Sequence, residues 1–248
     1  DRKGARSYFY SKLKRLGIPL LIFIFTLSPV QEFIKMRYVE HAPFSFVGYY
    51  THDVLTLRSI CPGQLWFVFA LLVFSIAYMF FREIFRNWSE TNVKKPLSLS
   101  RTLVFALFLS IGISSFRQIF PAGREYFHFI IGNFGQYVTF FVIGIVAARQ
   151  DWINSLPSGV SRFWRYSLAV LVPLPFIIIV KGGVIESGTG ILSTGVSWQF
   201  YAFNFWQMFF CVAMIITLLV LFKSRLARRT IWSRDAYAAY IIHPLTTI

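Results

Sequence analysis

Two basic side chains near the start of the chain have the spacing of a phosphate-binding pair. Lys12 and Arg15 lie three positions apart, so in a helix they share one face. Ammonium and guanidinium groups both form charge-assisted hydrogen bonds to phosphate oxygens. The pair therefore either grips a phosphate-bearing ligand or anchors the chain at the cytoplasmic surface of a membrane, and the spacing alone favours the anchor.

Arg117 stands at the end of an apolar run, Thr102–Phe116. A charged side chain near the end of a membrane span usually snorkels to the interface, and this is the favoured interpretation of Arg117. The alternative is an arginine that faces inward and anchors a ligand in a polar cavity.

A second group of polar side chains lies within apolar segments. Gln199, Asn204 and Gln207 fall within about 140° of each other on a helix, so we expect them to face other helices. Hydrogen bonding between helices is favoured there over contact with a substrate. Asn133, Gln136 and Tyr137 in the fourth predicted span present the same two alternatives.

His243 interrupts a late apolar run and is followed by Pro244, which removes one backbone donor. A histidine inside a membrane either bonds to the protein or contacts a substrate. The sequence shows no clustered metal ligands, Gly-x-Ser-x-Gly elbow, Walker loop or His-Glu-x-x-His pair, so we expect no metal. The residues alone indicate a polar interior without a self-contained catalytic constellation.

The composition requires a non-aqueous environment for most of the chain. Of the 248 residues, 56% are hydrophobic and 14% are charged, against about 25% charged in ordinary soluble domains. The net charge of +15 is carried by short basic runs between apolar segments. That distribution fits cytoplasmic loops held near anionic lipid, and no nucleic-acid-binding pattern accompanies it.

The uncharged runs predict an all-α, polytopic transmembrane bundle of about seven spans in one domain, 1–248. A crossing helix needs about 20 residues, so the 15- and 16-residue runs must extend into flanking basic residues. The longest run exceeds one span, so Lys181–Val196 is interpreted as a loop and Ser197–Phe222 as the helix. The candidate runs are Leu16–Gln31, Ser59–Phe81, Thr102–Phe116, Tyr126–Ala148, Tyr166–Val180, Ser187–Phe222 and Ala236–Ile248.

The alternation of basic loops predicts the orientation of the chain. With these spans, 19 of the 25 Lys and Arg residues lie on one side of the membrane and 6 on the other. Because Lys and Arg accumulate on the cytoplasmic side, the N-terminal basic segment is expected in the cytoplasm. We expect a multi-pass protein of the inner, cytoplasmic membrane that contacts membrane lipids.

Three strings occur in the order and spacing of a known family, and together they cover nearly the whole chain. They resemble the membrane acyltransferase family 3, the bacterial glycan and lipid O-acyltransferases. The strings are Asp1-Arg2-Lys3-Gly4 through Arg15-Leu16-Gly17-Ile18-Pro19, then Gly63-Gln64-Leu65-Trp66-Phe67-Val68, and finally Asp235-Ala236-Tyr237-Ala238-Ala239-Tyr240-Ile241-Ile242-His243-Pro244-Leu245.

The resemblance implies about ten spans in the parent protein and a defined reaction. An acetyl or other short acyl group would pass from acyl-CoA, most simply acetyl-CoA, to a hydroxyl of a carbohydrate or lipid-linked acceptor. The resemblance places the CoA phosphates at Lys12 and Arg15, where the family more often has Arg at the first position. We assign the acceptor cavity to Trp66, Arg117, Asn204, Gln207 and His243.

The family's proposed catalytic histidine lies in its first helix, and the resemblance places this chain after the family's first two helices. We therefore expect the fragment to be truncated at both ends, its general base to precede Asp1, and the chain alone to be inactive. A multi-span transporter or lipid-translocating protein is the alternative, because inward polar residues and proline-broken helices also suit a substrate pathway.

Overall fold

A computed structural model describes residues 10, 13–38, 41, 45–56, 65–84, 96–124 and 130–226. Within these ranges the chain forms helices and no strands, which confirms the all-α class. Shorter helical turns, Phe46–Tyr49, Tyr50–Val54, Val184–Ser187 and Thr189–Leu192, lie in the connections. The long helices are α1, Leu13–Tyr38; α2, Trp66–Ile84; α3, Leu99–Ile119; α4, Phe134–Arg149; α5, Ser158–Lys181; and α6, Trp198–Leu221.

Five helical stretches in the described ranges are long and apolar enough to cross a membrane. They contain α1, α3, α4, α5 and α6, whereas the apolar part of α2, Trp66–Phe81, is shorter. A 3₁₀ turn, Ile131–Asn133, leads directly into α4 and completes its span. The seventh predicted run, Ala236–Ile248, lies outside the described residues.

The spans extend beyond the uncharged runs because local caps, rather than the first charge, set their ends. Ser98 begins α3, its side-chain oxygen accepting from the Arg101 amide at 3.3 Å, so the helix includes Arg101. Ser197 caps α6 in the same way, accepting from the Phe200 amide at 3.2 Å. The predicted start of α6 is confirmed, and the predicted loop before it contains two short helical turns.

The first span is interrupted at Thr26, three residues before Pro29. Proline has no amide hydrogen, so the carbonyl of Phe25 loses the donor that an ordinary helix supplies four residues later. The Tyr50 hydroxyl, from the connection after α1, donates to that carbonyl at 2.8 Å. A tyrosine thus replaces the missing helical bond.

The fifth span has the same arrangement. It consists of two segments, Ser158–Leu171 and Leu174–Lys181, separated at Val172 and Pro173. The carbonyl of Leu171 would pair with the amide of residue 175, which is a proline. The indole nitrogen of Trp206 on α6 donates to it at 2.6 Å instead.

The described residues fall into two compact units, the first containing α1 and α2 and the second containing α3 to α6. In the first unit, the apolar face of α1 packs on the start of α2. Its buried residues are Leu16, Leu20, Phe23, Leu65 and Val68.

In the second unit, α6 packs against both α3 and α5. Trp164 of α5 is 1% exposed and fills the centre of the apolar core. Its indole nitrogen donates to the Thr102 hydroxyl of α3 at 2.9 Å, so the one polar atom of the ring is satisfied. The core residues are Ala106, Val160, Trp164, Val212, Ala213 and Ile216.

Candidate functional site

Arg117 lies in the last turn of α3 and is 2% exposed. A guanidinium has five N–H donors in a fixed plane. Oxygens from α6, from α4 and from the 3₁₀ turn before α4 meet these donors. This side chain is therefore the centre of a polar site within the second unit.

The acceptors divide into a close group and a distant group. Nη1 donates to the side-chain oxygens of Asn204 and of Gln207, the latter at 2.6 Å. Nη2 donates to Asn133 at 2.7 Å. Nη2 also meets Gln136 at 3.5 Å, and Nε meets the carbonyl of Gly132 at 3.4 Å, both near the limit of hydrogen bonding. We call these five acceptors and Arg117 the arginine cluster.

Local structure fixes each amide in the arginine cluster. The Asn204 nitrogen donates to the Phe200 carbonyl of its own helix at 2.7 Å, which turns its oxygen toward Arg117. Asn133 stands at the N-cap of α4 but makes no side-chain cap there. Asparagine normally caps a helix through its side-chain oxygen. Here that oxygen accepts from Arg117, so the start of α4 lacks its usual side-chain cap.

Gly132 lets the chain before α4 approach the end of α3. An added Cβ would clash with the carbonyl oxygen of Phe120 and lie 2.8 Å from the Ala122 nitrogen. Because both obstacles are backbone atoms, only glycine fits without a shift of the chain. This close approach brings the Gly132 carbonyl to the guanidinium.

Every hydrogen-bond partner of Arg117 in the arginine cluster is neutral. In the part of the chain that the structure describes, no carboxylate forms an ion pair with it. The amides satisfy its hydrogen bonds and leave its positive charge uncompensated by a counter-charge. Amides do not take up protons near neutral pH, so the cluster can orient or bind a group but contains no general base.

The expectation that Arg117 snorkels to the interface is wrong. The guanidinium has five partners inside the bundle, and these replace the water that a snorkelling side chain would seek. Asn204 and Gln207 do face other helices, as predicted from their angular spacing. Both bond between helices, and their contact with a substrate stays a prediction.

The structure describes two of the other predicted site residues, Arg15 and Trp66. Arg15 is exposed and Trp66 is partly buried, and both belong to the first unit. The Trp66 ring meets the Phe67 ring edge-on at 6.0 Å. Lys12 and His243 lie outside the described residues. Of the predicted cavity residues, the structure brings together Arg117, Asn204 and Gln207.

Two further buried hydroxyls lie on the same face of α3. Ser110, Ser114 and Arg117 have i, i+4, i+7 spacing, a signal in the sequence that indicates a polar stripe. The Ser110 hydroxyl donates to the Ala106 carbonyl at 2.7 Å. The Ser114 hydroxyl is buried without a hydrogen-bond partner in the structure. Within the described ranges, no three His, Cys, Asp or Glu side chains are placed to hold a metal ion.

Spanning helices joined through a buried polar cluster define a multi-pass membrane protein. Comparison with protein families makes this specific. The model of the acyltransferase domain, that of acyltransferase family 3, matches residues 1–248. The chain belongs to this family.

Curated relatives carry the name glucans biosynthesis protein C. The protein of Escherichia coli strain SMS-3-5 is 28% identical over 170 residues, which is 65% of this chain and 44% of the relative. That of E. coli O1:K1 is 26% identical over 178 residues, or 68% of this chain and 46% of the relative. The chain thus spans less than half the length of these relatives. No solved structure matches the chain.

Proposed function

We propose that the protein containing this chain is a membrane O-acyltransferase. It transfers an acetyl or other short acyl group from acyl-CoA to a hydroxyl of a carbohydrate or lipid-linked acceptor. The observation that carries this proposal is the family match across all 248 residues. The relatives' name, glucans biosynthesis protein C, supports a carbohydrate acceptor.

The atoms of the transfer reaction balance with the acyl donor and the acceptor alone. The acceptor oxygen attacks the thioester carbonyl, the new C–O bond forms, and the C–S bond breaks. CoA leaves as the thiol with the proton that the acceptor hydroxyl loses. A general base must move that proton. The arginine cluster has no group for this step, and the family resemblance assigns the base to a histidine of the family's first helix.

The donor site is proposed at the start of α1. Arg15 lies in the π-helical turn Leu13–Gly17, and its side chain is exposed, whereas its neighbours Leu16 and Gly17 are buried. An exposed guanidinium beside a buried helix face is free to form bidentate bonds to a phosphate. Lys12, three residues earlier in the sequence, is the second cation of the proposed donor site.

The excess of Lys and Arg in alternate loops supports an inner-membrane protein with its N-terminal basic segment in the cytoplasm. This orientation exposes Arg15 to the compartment that holds acyl-CoA. It also places the Arg117 end of α3 toward the opposite side of the membrane. Labelling of single cysteines introduced at Lys14 and at Arg124 with a membrane-impermeant reagent tests the orientation: only Arg124→Cys should react in intact cells.

The test of activity uses the natural gene product containing these residues, reconstituted in lipid vesicles with acetyl-CoA and a glucan. Release of CoA thiol together with ester formation on the glucan is expected. CoA release without an acylated product would contradict the acceptor class. Movement of an acceptor across the vesicle membrane without ester formation would favour the transporter instead. Activity of residues 1–248 alone would contradict the assignment of the base.

The donor assignment is tested with Arg15→Ala and Lys14→Ala in the same gene product. Both residues are exposed, but they are adjacent and therefore point to different sides of the helix. We expect Arg15→Ala to raise the KM for acetyl-CoA about tenfold, equivalent to about 1.4 kcal/mol. Lys14→Ala should leave that KM within about twofold. Equal effects of the two substitutions would make Arg15 a general surface charge.

A further inference from the structure

A small pocket lies between the start of α5 and the end of α6, within the second unit. Its volume is about 240 Å³, below the range of about 300–1,000 Å³ that is usual for drug-sized ligands. The charged group of a larger molecule is therefore the kind of occupant that fits. The residues that line this α5–α6 pocket are Ser161, Arg165, Thr217, Val220, Leu221 and Ser224.

The α5–α6 pocket has an accessible mouth and a polar floor. Arg165, Leu221 and Ser224 are exposed, so a ligand reaches them from the protein surface. Ser161 and Thr217 are partly buried. The Thr217 hydroxyl oxygen is buried and has no hydrogen-bond partner in the structure, although a helical threonine commonly donates to the carbonyl four residues earlier. The floor therefore contains an unmet hydrogen bond.

Arg165 carries a charge that no described residue neutralises. Its guanidinium lies 5.5 Å from the centre of the Tyr166 ring. In the part of the chain that the structure describes, it forms neither an ion pair nor a hydrogen bond. In contrast to the saturated donors of Arg117, the five N–H donors of Arg165 are available to a ligand, and their fork matches two oxygens of a phosphate.

The position of Arg165 along α5 places this charge below the membrane surface. The 24 residues of the fifth span are about 36 Å long, against a hydrocarbon core of about 30 Å. Arg165 lies about 10 Å after Ser158, the first residue, so its Cα lies about 7 Å inside the hydrocarbon when α5 is centred in the bilayer. A charge at that depth is costly unless it reaches the headgroups or meets an anion. Ser161 and Ser224 lie nearer the helix ends, so the pocket connects Arg165 with headgroup depth.

The surroundings of the pocket favour a lipid over a soluble anion. Leu221 at the mouth is 38% exposed, and Leu218, one turn earlier on α6, is exposed to the same extent. Tyr166 on α5 is exposed as well. Exposed apolar side chains of spanning helices face hydrocarbon chains in a membrane. Basic pockets between spanning helices are typical sites for anionic headgroups.

The two serines of the pocket indicate what else the headgroup carries. The Ser161 hydroxyl donates to the Ser158 carbonyl at 3.0 Å, and the Ser224 hydroxyl donates to the Leu221 carbonyl at 3.3 Å. Each hydroxyl proton is thus in use, and the oxygen keeps its capacity to accept. Such acceptors match a headgroup with hydroxyls of its own, as in glycerol.

We propose that the α5–α6 pocket binds the headgroup of an anionic phospholipid. The guanidinium of Arg165 donates to the phosphate oxygens, and the hydrocarbon chains lie along the exposed apolar faces of α5 and α6. In the orientation proposed above, this end of both helices is cytoplasmic, where the leaflet has a negative surface potential. Binding involves no acyl transfer, so this proposal and the proposed function can fail separately.

The test measures binding of three probes to the purified natural gene product in a neutral detergent, by native mass spectrometry. The probes are dioleoyl phosphatidylglycerol, dioleoylglycerol with the same chains but no phosphate, and inorganic phosphate. We expect one phosphatidylglycerol to bind about tenfold or more tightly than either of the others. Equal binding of dioleoylglycerol would reduce the site to an apolar contact. Displacement of the lipid by inorganic phosphate would make it a site for free anions, and either result would overturn the proposal.

Arg165→Gln and Arg162→Gln test the contact with the phosphate. Both arginines are exposed and lie one turn apart on α5, but only Arg165 lines the pocket. Arg165→Gln should weaken the tightest phosphatidylglycerol about tenfold or more, whereas Arg162→Gln should change it by less than about twofold. Equal effects would show a general attraction of the basic surface to anionic lipid and would contradict a site at Arg165.

Ser161→Leu and Ser167→Leu test the pocket itself. Both side chains are partly buried, and both hydroxyls bond to a carbonyl of their own helix, at 3.0 Å and 2.8 Å respectively. Of the two, only Ser161 lines the pocket. Ser161→Leu fills the pocket while Arg165 stays in place, and it should weaken phosphatidylglycerol about tenfold, whereas Ser167→Leu should not. Unchanged binding by folded Ser161→Leu protein would exclude the pocket. Arg165→Gln, which alters an exposed side chain, decides the question where Ser161→Leu fails to fold.

Discussion

The Nη1 nitrogen of Arg117 on α3 donates a hydrogen bond to the side-chain oxygen of Asn204 on α6, 87 residues later in the chain. The Asn204 nitrogen donates in turn to the Phe200 carbonyl. The guanidinium therefore joins α3 to a side chain that its own helix already orients. Since Asn133 and Gln136 meet the other edge of the guanidinium, one residue connects three helices.

Removal of this connection should destabilise the second unit. Arg117→Met leaves buried amide oxygens without donors, and we expect a loss of about 1–3 kcal/mol in the free energy of unfolding. Arg101→Met, at the exposed end of α3, should change it by less than about 0.5 kcal/mol. Unfolding of the purified chain in mixed micelles measures both.

A double-mutant cycle tests whether the destabilisation comes from the Arg117–Asn204 contact. If it does, Arg117→Met combined with Asn204→Leu should cost less than the sum of the single substitutions, with a coupling of about 0.5–1.7 kcal/mol. Strict additivity would show that Arg117 and Asn204 act independently.

The sequence predicted the long helices well because their signals are local. The uncharged run after Ser197 and the capping serine itself define α6 without reference to any other helix. The end of α1 was predicted seven residues early, at Gln31, because the chain remains helical through Glu32, Lys35 and Arg37 to Tyr38. Charge marks the end of an apolar run but does not end a helix.

The environment of Arg117 could not be predicted because it depends on three helices at once. The position of Arg117 at the end of an apolar run predicts snorkelling. That position contains no information about which amide side chains of other helices face the guanidinium. The spacing of Asn204 and Gln207 showed that they share a face. Only the packing of α6 on α3, and the close approach at Gly132, showed what that face meets.

The proline-broken spans yield a further prediction. Trp206→Phe removes the indole donor from the Leu171 carbonyl and should destabilise the chain by about 1–2 kcal/mol. Trp198→Phe, which changes an exposed tryptophan of the same helix, should have little effect. In a Pro175→Ala background the backbone regains an amide donor for Leu171, so the cost of Trp206→Phe should fall. An undiminished cost would assign the role of Trp206 to packing alone.

Tyr50→Phe tests the corresponding side-chain hydrogen bond to a proline-freed carbonyl in the first unit. Its hydroxyl is the donor to the Phe25 carbonyl, which Pro29 leaves without a helical partner. We expect a loss of about 1 kcal/mol in the free energy of unfolding. Tyr201→Phe, which removes an exposed hydroxyl, is the control, and equal losses for both variants would contradict a special role for Tyr50.

The approach of the chain to the end of α3 depends on Gly132. Gly132→Ala would place a methyl group against the backbone of Phe120 and Ala122, and we expect a loss of more than about 2 kcal/mol. At Gly112 an added Cβ meets no atom within 4 Å. Gly112→Ala should therefore stabilise α3 by up to about 1 kcal/mol, because alanine favours a helix more than glycine does. Similar stability of the two variants in thermal unfolding would show that the turn at Gly132 yields to the added methyl group.

Removal of the buried Ser114 hydroxyl should not lower the stability of the protein. It lies on the face of α3 that holds Ser110 and is 3% exposed, yet its oxygen has no hydrogen-bond partner in the structure. An unsatisfied buried hydroxyl costs about 1–3 kcal/mol, so Ser114→Ala should be neutral or stabilising in thermal unfolding. Ser110→Ala removes a hydroxyl that bonds to Ala106 and should cost up to about 1 kcal/mol. If Ser114→Ala proved the more destabilising of the two, the Ser114 hydroxyl would bond to a water or ligand in the folded protein.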